Sequence, residues 1–417
     1  MSKSVKQKTT WQKTRKFFND VHLWLGLGSG LIIIVVCLSG TIYTYNTELQ
    51  EWAAPHLYKV EVPDSAERIS AETIIAGVNA HSEGKVTAIT IPHDLARTYQ
   101  VTVRKEGDKS RFGTSYFVNP YTGDITGTSL EKTATAEFMR SMFSLHRWLL
   151  LDRIEEPLIG ELPNRTLGSY ITGTATILFT LGVITGMIIW FPQRIKNWKQ
   201  GLKIKWGGNW KRTNHDLHNS LAFYSLIILF LMGVTGPQWS FPWYRTGLQK
   251  TLGTYKEAPA RQDRSGSGKG GTAPEKEEAA SPAILLPVST YLSAADDVLP
   301  YEGDYRVSFP NDGKSPLEIS KNKTGFFAPA ASDKVSLDAA TSAVIDTEIF
   351  RDKPFNERVA GSIKALHIGN IYGPFSKLLY FIACLIATSL PVTGTIIWLN
   401  KLKKKKNRKS VPVKATA

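Results

Sequence analysis

Four runs of apolar residues constrain this chain more than any other feature. They cover residues 22–45, 168–191, 218–239 and 372–399. About 20 apolar residues cross the hydrocarbon of a bilayer as a helix. A segment in lipid must satisfy its own backbone polar groups, which selects helices here. Between the runs lie two long polar segments, 46–167 and 240–371, rich in alternating strand-like patterns. The predicted fold class is an α-helical membrane protein: a four-transmembrane-helix bundle with two periplasmic α+β domains.

The direction of insertion follows from charge. The net charge is +15. Residues 1–21 carry six Lys/Arg and one Asp, residues 192–217 carry seven and one Asp, and residues 400–417 carry eight and no acid. These blocks outweigh the whole, so the remainder of the chain is net negative. Basic residues abutting spans face the cytoplasm. The sequence therefore predicts a multi-pass protein of the bacterial inner membrane with cytoplasmic N- and C-termini, a cytoplasmic loop at 192–217 and both large polar segments in the periplasm. Because each basic block abuts a span, membrane lipid accounts for it, and no nucleic-acid partner is expected. The first run is too long for the apolar region of a cleaved signal peptide and reads as an uncleaved anchor. Cys37 and Cys384 both lie inside spans and read as small core residues. No C-x-x-C-H occurs, which excludes covalent c-type haem attachment.

The spans repeat a signature. "CLSGTIYTY", "VITGMIIWFP", "GVTGPQWSFP" and "PVTGTIIWLN" each place Ser/Thr-Gly near one end, followed by aromatics. Small residues allow close helix packing in lipid. Four such pairs, Ser39-Gly40, Thr185-Gly186, Thr235-Gly236 and Thr393-Gly394, suggest two copies of a helix–domain–helix unit. The polar segments repeat as well. "RISAETIIAGVNA" and "VSTYLSAADDVL" read as helices. "KVTAITIP", "TYQVTVRK" and "TSYFVNPYTGDITG" in the first segment read as strands, as do "DYRVSFP", "PLEISKN" and "DKVSLDAATSAVID" in the second. The stretch 257–282 contains "PARQDRSGSGKGGTAPEKEEAASP" and reads as a disordered loop.

Of eight histidines, His56, His81 and His93 show no spacing pattern and read as surface or structural residues. The other five cluster at the ends of spans. His22 precedes Gly40 by 18 residues, and His218 precedes Gly236 by the same number. Both are predicted at the cytoplasmic mouths of the first and third spans. His146 and His367 precede the second and fourth spans, on the periplasmic side. The result is one histidine pair per face of the membrane. Gly26 and Ala222 lie four residues after His22 and His218, on the same helix face, and leave room for a flat body bonded to the imidazole. Two histidines from two helices do not complete a zinc shell. They do match a b-type haem, which needs one or two axial imidazoles in an apolar slot. The expected cofactors are two non-covalent b-type haems. His22, His218, His146 and His367 are the candidate iron ligands, with His215 in contact with a propionate or solvent.

"FFNDVHLWLGLGSGLIIIVVCLSGTIYTY", "FSLHRWLLL", "ITGMIIWFP" and "HDLHNSLAFY" resemble the PepSY-associated transmembrane proteins, and "YFVNPYTGDI" resembles a PepSY domain. The resemblance covers nearly the whole chain. It implies two periplasmic PepSY-like domains. It implies an inner-membrane reductase of ferric siderophores with two b haems, held axially by His22 and His218 on the cytoplasmic side and by His146 and His367 on the periplasmic side. The sequence departs from the pattern at Ala222, where glycine is common, and in the second PepSY turn, "DAATSA".

The leading functional expectation is thus an oxidoreductase that passes electrons to a periplasmic ferric siderophore or another ferric chelate. No flavin- or dinucleotide-binding motif is present, so the donor would be a separate cytoplasmic reductase or a quinol. The alternative is a non-redox sensor or regulator whose PepSY domains bind a peptide or protease. Four spans without acidic residues or broken helices argue against a permease.

Overall fold

The computed structural model describes residues 9–65, 67–105, 113–191, 198–257, 286–310 and 315–409. All of the 257–282 loop after Glu257 lies outside them. Long helices occupy the four apolar runs: Thr10–Thr44, Asn164–Trp190, Trp210–Thr235 and Gly373–Lys409. The third continues as a 3-10 turn, Gly236–Trp239. All four are long and apolar enough to cross a membrane, and the chain is a multi-pass membrane protein.

Local chemistry sets the ends of these helices. The Thr9 hydroxyl accepts from the Gln12 amide, and the Gln12 side chain accepts from the Thr9 amide, a reciprocal cap that starts the first helix. Asn209 caps the third in the same sense through the Arg212 amide. Inside the bundle, hydroxyls return to carbonyls of their own helix: Ser29 to Leu25, Thr176 to Thr172, Ser225 to Leu221 and Thr388 to Cys384. This satisfies polar groups where no water is at hand. Leu31 and Ile227 are more than 70% exposed and face the lipid. Ile33, Cys37, Ala175, Leu229, Ala383, Cys384 and Ala387 fill the centre. Gly30 lets the first helix approach the fourth, since a Cβ there would lie 3.1 Å from that of Pro391.

At one end of the bundle, away from the basic loop, the two polar segments build a single sheet. Its strands are β1 Lys85–Ile91, β2 Tyr99–Arg104, β3 Thr114–Val118, β4 Ile125–Thr128, β5 Gly303–Ser308, β6 Leu317–Lys323, β7 Ser332–Leu337 and β8 Val344–Glu348. The order is β4-β3-β2-β1-β5-β6-β7-β8. Every described neighbour is antiparallel, and β1 joins β5 from Ala88↔Ser308 to Ile91↔Tyr305. The two α+β repeats therefore join edge to edge, four strands from each, in one eight-stranded sheet. Each half would otherwise leave β1 or β5 as an unpaired edge, and the junction removes both edges. Helices Ala71–His81 and Val288–Val298 cover one face and bury Ile74, Val78, Tyr291 and Ala295 against Ile89, Val101, Val307 and Ile319.

Three connecting helices carry the chain from the sheet back to the bundle: Ala134–Trp148, Phe355–Gly361 and Ile363–Ile368. The sequence pattern does not anticipate them. They position the site.

Candidate functional site

Each Ser/Thr-Gly pair seats one histidine from another helix. A Cβ built on Gly40 would lie 2.9 Å from Cε1 and Nδ1 of His146; one on Gly186 would lie 3.1 Å from Cε1 of His22. The matching contacts are 3.3 Å from Gly236 to His367 and 3.2 Å from Gly394 to His218. In every case the missing side chain is the space the imidazole occupies. The seats form within a repeat: His22, from the first span, packs against the second, and His146 against the first, while His218, from the third span, packs against the fourth, and His367 against the third. The pairs form between repeats. His22 meets His218 with ring centroids 6.4 Å apart, and His146 meets His367 at 6.2 Å.

Hydrogen bonding fixes the tautomer of all four rings. His22 Nδ1 lies 3.0 Å from the Gly182 carbonyl, and His146 Nδ1 lies 2.8 Å from the Val36 carbonyl. A carbonyl only accepts, so Nδ1 carries the hydrogen. His218 Nδ1 lies 2.9 Å from the Thr393 hydroxyl and His367 Nδ1 lies 3.1 Å from that of Thr235. Both hydroxyls already donate to their own helix, to Ser389 and Leu231, so they too accept. Each neutral ring is left with a bare Nε2 lone pair. Among the described residues no hydrogen bond uses it. Metal-bound histidines are oriented in this way through the other ring nitrogen.

The spacing of the paired rings is selective. Two imidazoles bonded in line to one ion at about 2.0 Å, with a ring radius of about 1.1 Å, place their centroids about 6.2 Å apart, whereas a tetrahedral angle brings them to about 5 Å. The observed 6.4 and 6.2 Å match the in-line arrangement. No group of three or more His, Cys, Asp or Glu side chains converges on a metal-sized point among the described residues.

The surroundings of the pairs differ. Beside His146 and His367 opens a narrow cleft of about 70 Å³, part of it open to the outside. It is lined chiefly by apolar side chains, among them Ile33, Phe179, Leu229 and Met232. The Trp239 ring packs edge-on against His367 at 5.0 Å. Arg147 also lines the cleft, and burial together with the like charges of Arg165 and Arg245 holds its guanidinium below the usual arginine range. At the other pair, a Cβ on Gly26 would meet nothing within 4 Å. Ala222 is half-buried. The His215 side chain is about half exposed, bonded to Asn219 and 3.7 Å from Asp216. His56 bonds Glu131, His81 bonds the Gly77 carbonyl and His93 lies 3.5 Å from Glu302, all on the surface.

The sequence signal for the seats was present in the four Ser/Thr-Gly pairs, which alone read as helix packing. The carbonyls of Val36 and Gly182 carry no sequence signature. Arg147 and Trp239 also escape a reading of spacing alone, as does the hydrogen-bonding role of the Thr185, Thr235 and Thr393 hydroxyls toward the imidazoles. No curated protein matches the chain. The family model for the PepSY-associated TM region matches residues 20–401, and the chain belongs to that family.

Proposed function

We propose that the chain is an inner-membrane di-haem b protein that passes electrons from the cytoplasmic side to a periplasmic ferric siderophore or another ferric chelate, releasing Fe(II). The observation that carries this is the spacing of the two histidine pairs, 6.4 and 6.2 Å between ring centroids, with Nδ1 of all four rings engaged by the protein. His22 with His218, and His146 with His367, would each hold one haem through its iron, a ligation that needs no covalent attachment. A haem so held supplies reversible one-electron chemistry. The chain's own residues orient the imidazoles through their seats, keep water from the apolar centre and separate the two sites by Ile33, Leu229, Ala383 and their neighbours. Along the first span the seat at Val36–Gly40 lies roughly 21–27 Å from His22, so two sites divide the thickness of the membrane. Reduction favours release because hard oxygen chelators hold Fe²⁺ more weakly than Fe³⁺. The donor is a separate cytoplasmic reductase or a quinol, and the basic blocks orient the sheet toward the periplasm.

The test is a dithionite-reduced minus oxidised spectrum of the purified full-length protein with haem quantitation. Two haems per chain, fully extracted by acid-acetone, are expected. A haem-free preparation that still reduces a ferric chelate would overturn the reading. Reporter fusions after Thr128 and after Gly270 are both expected to report periplasm.

A further inference from the structure

Arg147 follows the outer histidine and faces the same cleft, yet among the described residues no carboxylate pairs with it. Its Nη2 donates to the Trp239 carbonyl at 3.2 Å. Its cationic neighbours are Arg165, over the same Trp148 ring, and Arg245, on the preceding carbonyl of the same turn. Arg165 stacks over the Trp148 ring at 4.1 Å, and Arg147 lies 5.9 Å from the same ring. Arg245 Nε donates to the Gln238 carbonyl at 3.3 Å. Elsewhere in the molecule arginines meet acids: Arg97 pairs with Glu51, and Arg212 with Asp216. Here Arg147 lines the cleft, Arg165 shares the Trp148 ring with it and Arg245 bonds the neighbouring carbonyl, and among the described residues none of the three has such a partner.

The arrangement is built rather than incidental. The 3-10 turn Gly236–Trp239 seats His367 through Gly236, packs Trp239 on that ring and tethers Arg245 and Arg147 through two consecutive carbonyls. A guanidinium has five N–H donors in a planar fork suited to a carboxylate. Arg147 spends one of them on Trp239. Placing a partly buried cation beside two like charges is unfavourable unless an anion joins them.

We propose that Arg147, flanked by Arg165 and Arg245, forms a carboxylate-binding site at the outer mouth of the cleft beside His146 and His367. This deepens the haem reading and rests on it for one of two carboxylate sources: the propionates of a resident haem, or an arriving anionic ferric chelate. In both cases the carboxylate oxygens accept hydrogen bonds from the guanidinium N–H groups, and no covalent bond changes.

Three measurements on the purified full chain decide it, comparing wild type with Arg147→Gln and with the double variant Arg165→Gln/Arg245→Gln. Reconstitution with haem and with its dimethyl ester tests the propionate source. Wild type should favour haem at the outer site roughly tenfold or more, and Arg147→Gln should lose that preference. Titration with citrate, followed by thermal unfolding, tests for a free anion without requiring haem. Stabilisation that vanishes in the double variant assigns the arriving anion. The KM for ferric citrate against that for a neutral ferric hydroxamate then shows a rise of roughly tenfold for the anionic chelate alone. If the protein binds no haem, the functional reading fails while the citrate titration still decides this site. If ester discrimination, citrate stabilisation and the KM ratio are all unchanged in both variants, the arginines serve only the carbonyls at the end of the third span and the proposal is wrong.

Discussion

His22 and His218 ride on helices that run unbroken for two turns or more on either side of them. His146 and His367 sit in the last turns of short helices that stop within three residues. The first short helix ends at Leu149 and Leu150, both left-handed at φ 55° and 61°, and the second at Gly369, φ 80°. Four identical seats are thus served by two kinds of delivery. At the basic end, the helix that crosses the membrane is itself the carrier. At the sheet end, a reversal aims the ring, and the reversal has a cost: a non-glycine residue in the left-handed region is unfavourable by about 1–3 kcal/mol. Contacts across the corner hold it. Ser144 bonds Asp152, Arg153 donates to Ser141 at 2.6 Å, and Thr172 donates to the Arg147 carbonyl at 3.0 Å. The difference teaches that equal ring spacing does not imply equal robustness. The outer pair depends on turns and close approaches, and it faces a cleft that Arg147 lines.

The largest expected effects test whether the two pairs are separate. His218→Ala should remove only the inner haem and His367→Ala only the outer, so each protein should carry about one haem instead of two. Quantitation after acid-acetone extraction reads this directly. With dithionite supplied from the sheet side, His218→Ala should still reduce a ferric chelate and His367→Ala should not. One substitution that empties both sites would show a single coupled unit and dissolve the comparison.

A change confined to the outer delivery comes next. A Cβ on Gly168 would lie 2.2 Å from the Trp148 carbonyl, and one on Gly369 would lie 2.5 Å from Cβ of Tyr380. Backbone and ring cannot yield cheaply there. Gly168→Ala and Gly369→Ala should each cost about 1–3 kcal/mol or more, and deplete the outer haem while the inner spectrum stays intact. Equal loss at both sites in either variant would contradict the division between carriers.

The seats themselves should rank by their clearances. Gly40→Ala meets His146 at 2.9 Å, Gly186→Ala meets His22 at 3.1 Å, Gly394→Ala meets His218 at 3.2 Å and Gly236→Ala meets His367 at 3.3 Å. Destabilisation of up to about 1–2 kcal/mol should fall in that order. Thermal unfolding and the midpoint potential of the nearer centre both report it. A reversed order would mean that the imidazoles shift freely and that the seats do not position them.

These seats also show what a sequence can and does not disclose. The four spans were legible because lipid demands long apolar helices. The strands were legible because period-two alternation survives in "TYQVTVRK" and "PLEISKN". The histidine pairs followed from topology, since alternate spans put His22 with His218 and His146 with His367 on opposite faces. The Ser/Thr-Gly repeat was visible, but small residues in a span fit helix packing as readily as a ring seat, and only coordinates separate the two. The β1–β5 junction left no local mark, because its partners Ile91 and Tyr305 lie far apart in the chain and each looks like an ordinary strand residue. Leu149 and Leu150 were illegible for the opposite reason: leucine favours helix, and tertiary contacts overrode it.

Second-sphere hydroxyls should give smaller, unequal effects. Thr393→Val and Thr235→Val remove the acceptors of His218 and His367 and should each weaken ligand binding by about tenfold. Thr185→Val should matter less, because His22 retains the Gly182 carbonyl at 3.0 Å. Ser39→Ala should matter least of the four. The Ser39 hydroxyl donates to Val35 and Val36 in its own helix, and His146 is held by the Val36 carbonyl instead. Midpoint potentials of the four variants, measured together, expose this ordering.

The smallest expected effect concerns His215, three residues before His218 on the same helix. Its side chain is about half exposed, and its Nδ1 is engaged by Asn219 at 3.2 Å. Asp216, 3.7 Å away and only 6% exposed, is itself held by Arg212 at 2.8 Å. His215 thus belongs to a polar cluster facing the basic loop, while His218 turns to Thr393 and to His22. His215→Ala should keep both haems and change at most the inner midpoint potential, through the altered charge and hydration near that site. A spectrum that loses the inner haem in His215→Ala, while His218→Ala keeps it, would exchange the roles of the two histidines. It would leave the outer pair, and the contrast in delivery between the two ends, intact.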